Sequence, residues 1–262
     1  MNRNRLTSVV LALLFSLVLV EGVPAQTASF TIEQVMSAPF PTGMIAAPSG
    51  GNVAWVYNDQ GERNIWVAGP PSYEGRKLTD YRGDDGQEVT SLAWSPDGES
   101  IAFVYGGNTN RQGEYPNPLS NPAGIEQEVW VVSVDSGELH RLGEGRSPAV
   151  SPRDDRVAFL NKGQIWWAPL DGSSEAEQLV QARGTAGDLR WSPDGSRLAF
   201  VSDRGDHEFI AVYNWESKSV SFLDPSVDHD SNPVWSPDGS QIAFIRKPEC
   251  WIGNVDDSVK VG

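Results

Sequence analysis

Trp94-Ser-Pro-Asp-Gly98 recurs letter for letter as Trp191-Ser-Pro-Asp-Gly195 and Trp235-Ser-Pro-Asp-Gly239. After a polar pair, each copy runs into an apolar-Ala-Phe triplet: Ile101-Ala-Phe103, Leu198-Ala-Phe200 and Ile242-Ala-Phe244. Two weaker copies fit the same frame, Ser151-Pro-Arg-Asp154 before Val157-Ala-Phe159 and Pro48-Ser-Gly-Gly51 before Val53-Ala-Trp55. The aromatic anchors at 55, 103, 159, 200 and 244 therefore stand 48, 56, 41 and 44 residues apart. A period in the forties built from short strands is the pattern of propeller blades.

The pentapeptide is turn chemistry. Pro presets φ near −65° for an early turn position, and Asp-Gly tolerates the positive φ of a tight reversal. The Trp before it is a large apolar body suited to the gap between blades. Because side chains alternate along a strand, the Ala of the triplet faces away from the Phe, and its small size lets one sheet approach the next. Each repeat continues with a second aromatic strand, as in Asn64-Ile-Trp-Val-Ala68, Glu128-Val-Trp-Val-Val132, Gln164-Ile-Trp-Trp-Ala168 and Glu208-Phe-Ile-Ala-Val212. A turn and a closing strand follow, so each unit has four antiparallel strands, here called a, b, c and d. In the fifth repeat Phe244 to Trp251 repeats the spacing of Phe159 to Trp166, which predicts Trp251 in strand c. The expectation is an all-β propeller with five recognisable blades, at about 43–80, 90–142, 146–180, 187–223 and 231–262, forming an incomplete or open ring.

Ahead of the blades, Arg3 and Arg5 precede an apolar run from Leu6 to Val20, and Val23-Pro24-Ala25 supplies small residues for cleavage before Gln26. This reads as a signal peptide over 1–25 and export to the periplasm or beyond, with an uncleaved anchor as the alternative. Residues 26–42 form a short lead-in whose Thr31-Ile-Glu-Gln-Val-Met36 reads as helix. The chain carries 35 acidic and 20 basic side chains, a formal charge of −15. Such a surface repels phosphate backbones and anionic lipid, which argues against nucleic acid and against membrane contact beyond the leader. Cys250 is the single cysteine, which excludes an intrachain disulfide, and it reads as structural.

The WSPDG turn with its apolar-Ala-Phe strand resembles the repeat shared by TolB-type periplasmic proteins and the N-terminal propeller of prolyl oligopeptidase and dipeptidyl peptidase IV-type serine peptidases. The resemblance covers Gly43 to about Gly262. The helical lead-in, the degenerate first blade and the Pro/Asn/Gly-rich insertion from Tyr105 to about Glu126 are similar to the peptidase branch. That resemblance implies a propeller that restricts peptide access to an α/β-hydrolase domain. The nucleophile elbow of that domain, Gly-x-Ser-x-Gly, does not occur in these 262 residues. The expected role is therefore non-catalytic, with no catalytic residues, cofactor or metal assigned and any peptidase chemistry placed in an absent hydrolase domain. The alternative is a stand-alone TolB-type scaffold for a protein partner.

Acid clusters such as Asp84-Asp85 and Asp228-His229-Asp230 lack the spacing of a calcium loop and read as solvated loops. The tripeptides Arg82-Gly-Asp84 and Arg204-Gly-Asp206 read as turn chemistry. Strand alternation places the b–c and d–a loops on one face, where variable loops on a rigid scaffold hold binding residues. Those loops carry Asp80, Asp84, Asp85, Glu88, Asp203, Asp206, Asp224, Asp228 and Asp230. Asp84, Asp85, Glu88, Asp228 and Asp230 are the candidate rim for amine-bearing or basic peptides.

Overall fold

The computed structural model describes residues 30–248, together with the backbone of 250–251 and 260–261. The leader read at 1–25 lies outside the described residues. The chain divides into two units, Met1–Ala38 and Pro39–Gly262. In the first, helix α1 (Ile32–Met36) begins at a capping box. Thr31 Oγ1 accepts from the Gln34 amide at 3.1 Å, and Gln34 Oε1 accepts from the Thr31 amide at 3.0 Å. These two bonds satisfy N–H groups that a helix start leaves without partners.

In the second unit the repeat becomes four four-stranded antiparallel sheets and part of a fifth. Blade 1 comprises β1 (Phe40–Ala46), β2 (Val53–Asp59), β3 (Glu62–Ala68) and β4 (Arg76–Lys77). Its first strand thus starts inside the stretch read as lead-in. Blade 2 comprises β5 (Val89–Trp94), β6 (Ser100–Tyr105), β7 (Glu128–Ser133) and β8 (Leu139–Glu144). Blade 3 comprises β9 (Arg146–Val150), β10 (Arg156–Asn161), β11 (Gln164–Pro169) and β12 (Glu177–Val180). Blade 4 comprises β13 (Thr185–Trp191), β14 (Arg197–Asp203), β15 (Glu208–Asn214) and β16 (Ser219–Leu223). Blade 5 contributes β17 (His229–Trp235) and β18 (Ile242–Lys247), joined to blade 4 by one parallel bridge, Glu208 to His229. The short strands β19 (Cys250–Trp251) and β20 (Lys260–Val261) pair with each other, while β18 pairs only with β17 among the described residues.

First strands lie against the first strands of the next blade, β1 on β5, β5 on β9, β9 on β13 and β13 on β17. The a strands therefore converge on a common axis and the d strands lie outside, which is the propeller arrangement. Among the described residues the ring is not closed. The alternation read from the triplet fixes what each blade turns to its neighbours. Phe103 packs toward blade 1 and Ala102 toward blade 3; Phe159 packs toward blade 2 and Ala158 toward blade 4. All four are fully buried. Ala243 of blade 5 occupies the same position and is exposed, because no blade covers it among the described residues.

The tryptophan of the pentapeptide does more than fill space. Trp94, Trp191 and Trp235 each donate the indole N–H to the first strand of the preceding blade, at Ile45 O (3.5 Å), Ala149 O (2.9 Å) and Arg190 O (2.9 Å). Within each turn the Ser hydroxyl donates to the Asp carboxylate, as in Ser192 to Asp194 at 2.6 Å, and also accepts the amide five residues on. The glycines at 98, 195 and 239 have φ of +79°, +69° and +70°, so the turn requires them.

Every first strand also carries a bulge. The bulged residue is left-handed in all five blades: Gly43, Ser91, Ser147, Asp188 and Asn232, with φ between 48° and 62°. The extra residue bends the strand where it lines the axis.

Candidate peptide-binding rim

The b–c and d–a links put the predicted acids at two separate blade junctions. The first group is built on the link between β4 and β5 and on Arg63 of β3. Arg63 is largely buried and reaches Asp84 Oδ1 at 3.2 Å and Glu88 Oε2 at 3.3 Å. Asp84 also accepts from the Gly86 amide at 3.0 Å, and that bond, followed by Arg63, holds its carboxyl below the usual range. Asp85 accepts from the Gln87 amide at 2.9 Å and from the Tyr105 hydroxyl. Burial, then the Asp85 contact, pushes the Tyr105 phenol up, and burial does the same to Tyr81, on which it stacks at 4.8 Å. Behind them Lys77 bridges Glu62 at 2.9 Å and Asp80 at 3.2 Å, and Arg82 closes on Asp80 at 2.7 Å. Arg82 lowers the Asp80 carboxyl, and the Lys77 bond lowers that of Glu62.

The second group sits where blade 4 passes into blade 5. Asp230 is fully buried and forms a fork with Arg246, Nε to Oδ1 at 2.7 Å and Nη2 to Oδ2 at 2.9 Å. Arg246 also donates Nη1 to Asp224 Oδ2 at 2.9 Å, and its guanidinium is held charged, chiefly by Asp230. Asp230 thus turns its carboxylate inward onto Arg246 across the β17–β18 pair, and Arg246 ties that pair to Asp224 in the link from blade 4. Asp228 accepts from the Ser226 hydroxyl at 3.1 Å. Asp203 accepts from the Gly205 amide at 2.7 Å, and Asp206 contacts His207 at 2.7 Å.

The structure therefore brings Asp84, Asp85 and Glu88 together and sets Asp228 beside Asp230. No hydrogen bond or ion pair joins the two groups among the described residues. Asp85 and Asp228 are the members of the candidate set with no cationic side chain against them among the described residues. Both Arg-Gly-Asp tripeptides are engaged internally: Arg82 on Asp80, Asp84 on Arg63, and the Arg204 guanidinium over the Phe209 and Phe222 rings.

Sequence reasoning missed Arg63 and Arg246, the cations that organise the rim. Each stands with a second charge at one end of a strand read for its apolar pattern, Glu62 with Arg63 and Arg246 with Lys247, and that break was the available signal. It also missed the bulge residues, where Asp188 Oδ2 accepts from the Asn232 amide at 3.4 Å across adjacent first strands. Among the described residues no group of three or more His, Cys, Asp or Glu is placed to hold a metal ion, and no helix is long and apolar enough to cross a membrane.

No protein-family model matches the chain. A tricorn protease homolog of Streptomyces coelicolor is 36% identical over 66 residues, which is 25% of this chain and 6% of that protein. The chain thus spans a small fraction of the length of the curated relative it matches. Among solved structures, dipeptidyl peptidase 4 of Porphyromonas gingivalis superimposes with a TM-score of 0.59 at 15% identity, over 82% of this chain and 38% of that one. A protein described as TolB from Agrobacterium tumefaciens gives 0.50 at 21% identity, over 80% of this chain and 76% of that one. The fold is that of the β-propellers found in TolB proteins and in prolyl oligopeptidase and dipeptidyl peptidase IV-type peptidases.

Proposed function

We propose that the chain is the non-catalytic propeller of an exported protein of serine-peptidase type, and that it selects short basic or amine-bearing peptides at its b–c and d–a face. The observation that carries this reading is the state of the rim acids. Most are paired with Arg63, Lys77, Arg82 or Arg246, whereas Asp85 and Asp228 of the candidate rim, like Asp203 on the same face, have no cationic side chain against them among the described residues. A cationic peptide end placed there gains an attraction that the paired acids do not offer. Hydrolysis itself belongs, on this reading, to polypeptide other than these residues. The leader supplies the route out of the cytoplasm.

Titration of the chain with a Lys/Arg-rich tripeptide and its Glu-rich counterpart, by calorimetry at low and at physiological salt, tests the proposal. Preference for the basic peptide, weakened by salt and by Asp85→Asn with Asp228→Asn, is expected. Equal binding of both peptides, or binding unaffected by the double variant, overturns it. The TolB-like solved structure, matched over more of its length than the peptidase, favours a second reading as a scaffold for a folded protein. That reading gains if neither peptide binds.

A further inference from the structure

The four blade junctions are not equally fastened. Between blades 3 and 4, Trp191 donates to Ala149 O, Arg156 Nη2 to Gly195 O at 3.1 Å, Arg153 Nε to Pro193 O at 3.2 Å, and the Ala186 amide to Gly163 O at 2.8 Å. Arg156 also lies over the Trp191 ring, 5.2 Å from its centroid. Between blades 4 and 5 the same clasp repeats: Trp235 donates to Arg190 O, Arg197 Nη2 to Gly239 O at 2.6 Å, and Arg197 covers the Trp235 ring at 4.7 Å. Between blades 1 and 2, Trp94 reaches Ile45 O and Arg76 reaches Val134 O.

The junction of blades 2 and 3 has neither half of the clasp. Val150 stands where blades 2, 4 and 5 have Trp, and Ser100 where blades 3 and 4 have Arg. All residues of both blades are described, and no hydrogen bond joins one to the other. A single exposed ion pair crosses, Lys162 Nζ to Glu144 Oε2 at 3.3 Å. What remains is apolar packing of Ala102, Val129, Val131 and Leu142 on Val157, Phe159, Ala168 and Leu170. Outside this packing an open groove of about 1030 Å³ runs along the seam, lined by Arg141 and Glu144 from blade 2 and by Lys162 and Trp166 from blade 3.

We infer that the propeller parts at the seam between blades 2 and 3, which opens as a hinge while the clasped junctions stay shut. Apolar contact is non-directional and an exposed ion pair restrains little, so this interface lacks the bonds that fix its neighbours in register. Local opening concentrates where such restraints are fewest. The inference stands apart from the peptide reading, since it concerns the scaffold and not what the rim holds.

Thiol labelling under native conditions reads it directly, in a chain carrying Cys250→Ser. Ala168 lies buried at the unclasped seam and Ala211 equally buried at the clasped 3–4 junction. Ala168→Cys is expected to label at least about tenfold faster than Ala211→Cys, the order of effect of a few missing hydrogen bonds. Installing the clasp with Ser100→Arg and Val150→Trp is expected to slow labelling at 168 toward the rate at 211. Should that variant not fold, removing the 3–4 clasp with Trp191→Phe and Arg156→Met supplies the converse, with labelling at 211 rising toward that at 168. Equal rates at 168 and 211 in the parent, or rates indifferent to gain or loss of the clasp, overturn the inference.

Discussion

Phe200 is almost fully buried against blade 3 by the alternation that turns Ala199 the other way. Phe200→Ala should cost about 3–5 kcal/mol, the range for emptying a large aromatic site, read as a lower urea midpoint. Trp191→Phe keeps an aromatic side chain but removes the N–H to Ala149 O and part of the ring volume, and at least about 1 kcal/mol should be lost. The turn acids carry a pH signature. Hydrogen bonds from Ser192 and Ser196, and from Ser236 and Ser240, bring Asp194 and Asp238 down to about 2. Their folded values lie below the unfolded value of about 3.9. Their contribution is therefore complete above that value and is lost as pH falls through about 2. Carbon-detected titration of these two carboxyls should give midpoints well under those of the exposed acids, and Asp194→Asn should flatten the acid limb of stability. The turn was legible in the pentapeptide and the alternation of Ala199 and Phe200 in the triplet after it. The serine bonds and the indole bond were not, because a sequence shows a tryptophan's size but not which carbonyl its N–H will find.

At the scale of elements, the strands and their order in each blade follow from the anchors and the turns between them. Two strands depart from this: β4 is reduced to two residues in a stretch that the period alone treats as a full strand, and β19, where the spacing predicts strand c of blade 5, pairs with β20 and, among the described residues, not with β18. The left-handed bulges were not legible, since Ser91, Ser147, Asp188 and Asn232 are ordinary polar residues whose backbone state depends on the axis they line. Gly145 marks a close approach of the β8–β9 link to blade 3: an added Cβ would stand 2.6 Å from Leu160 O and from the Phe159 ring. Gly145→Ala should therefore destabilise by about 1–3 kcal/mol, as overpacking does, with the loss visible in thermal unfolding. Of the rim, the loops that carry it were readable from their length and charge. Which acids are paired was not, because Arg63 reaches Asp84 from a strand two removed in the chain and Arg246 meets Asp230 only through the register of β17 on β18.

At the scale of the molecule, blade 5 presents Val234 and Ile245, 59% and 51% exposed among the described residues. An apolar sheet face and a β18 edge left uncovered among the described residues favour association between molecules. Val234→Lys with Ile245→Lys should reduce self-association in sedimentation velocity while leaving the melting temperature unchanged. The account depends on radial stacking, with first strands meeting at an axis and fourth strands splayed apart. Oxidative cross-linking of paired cysteines in a Cys250→Ser chain measures this most directly. Asp188→Cys with Asn232→Cys, on adjoining first strands, should form a disulfide readily, while Gln178→Cys with Ser221→Cys, on the fourth strands of blades 3 and 4, should stay reduced. Cross-linking of the outer pair in preference to the inner one would contradict the propeller.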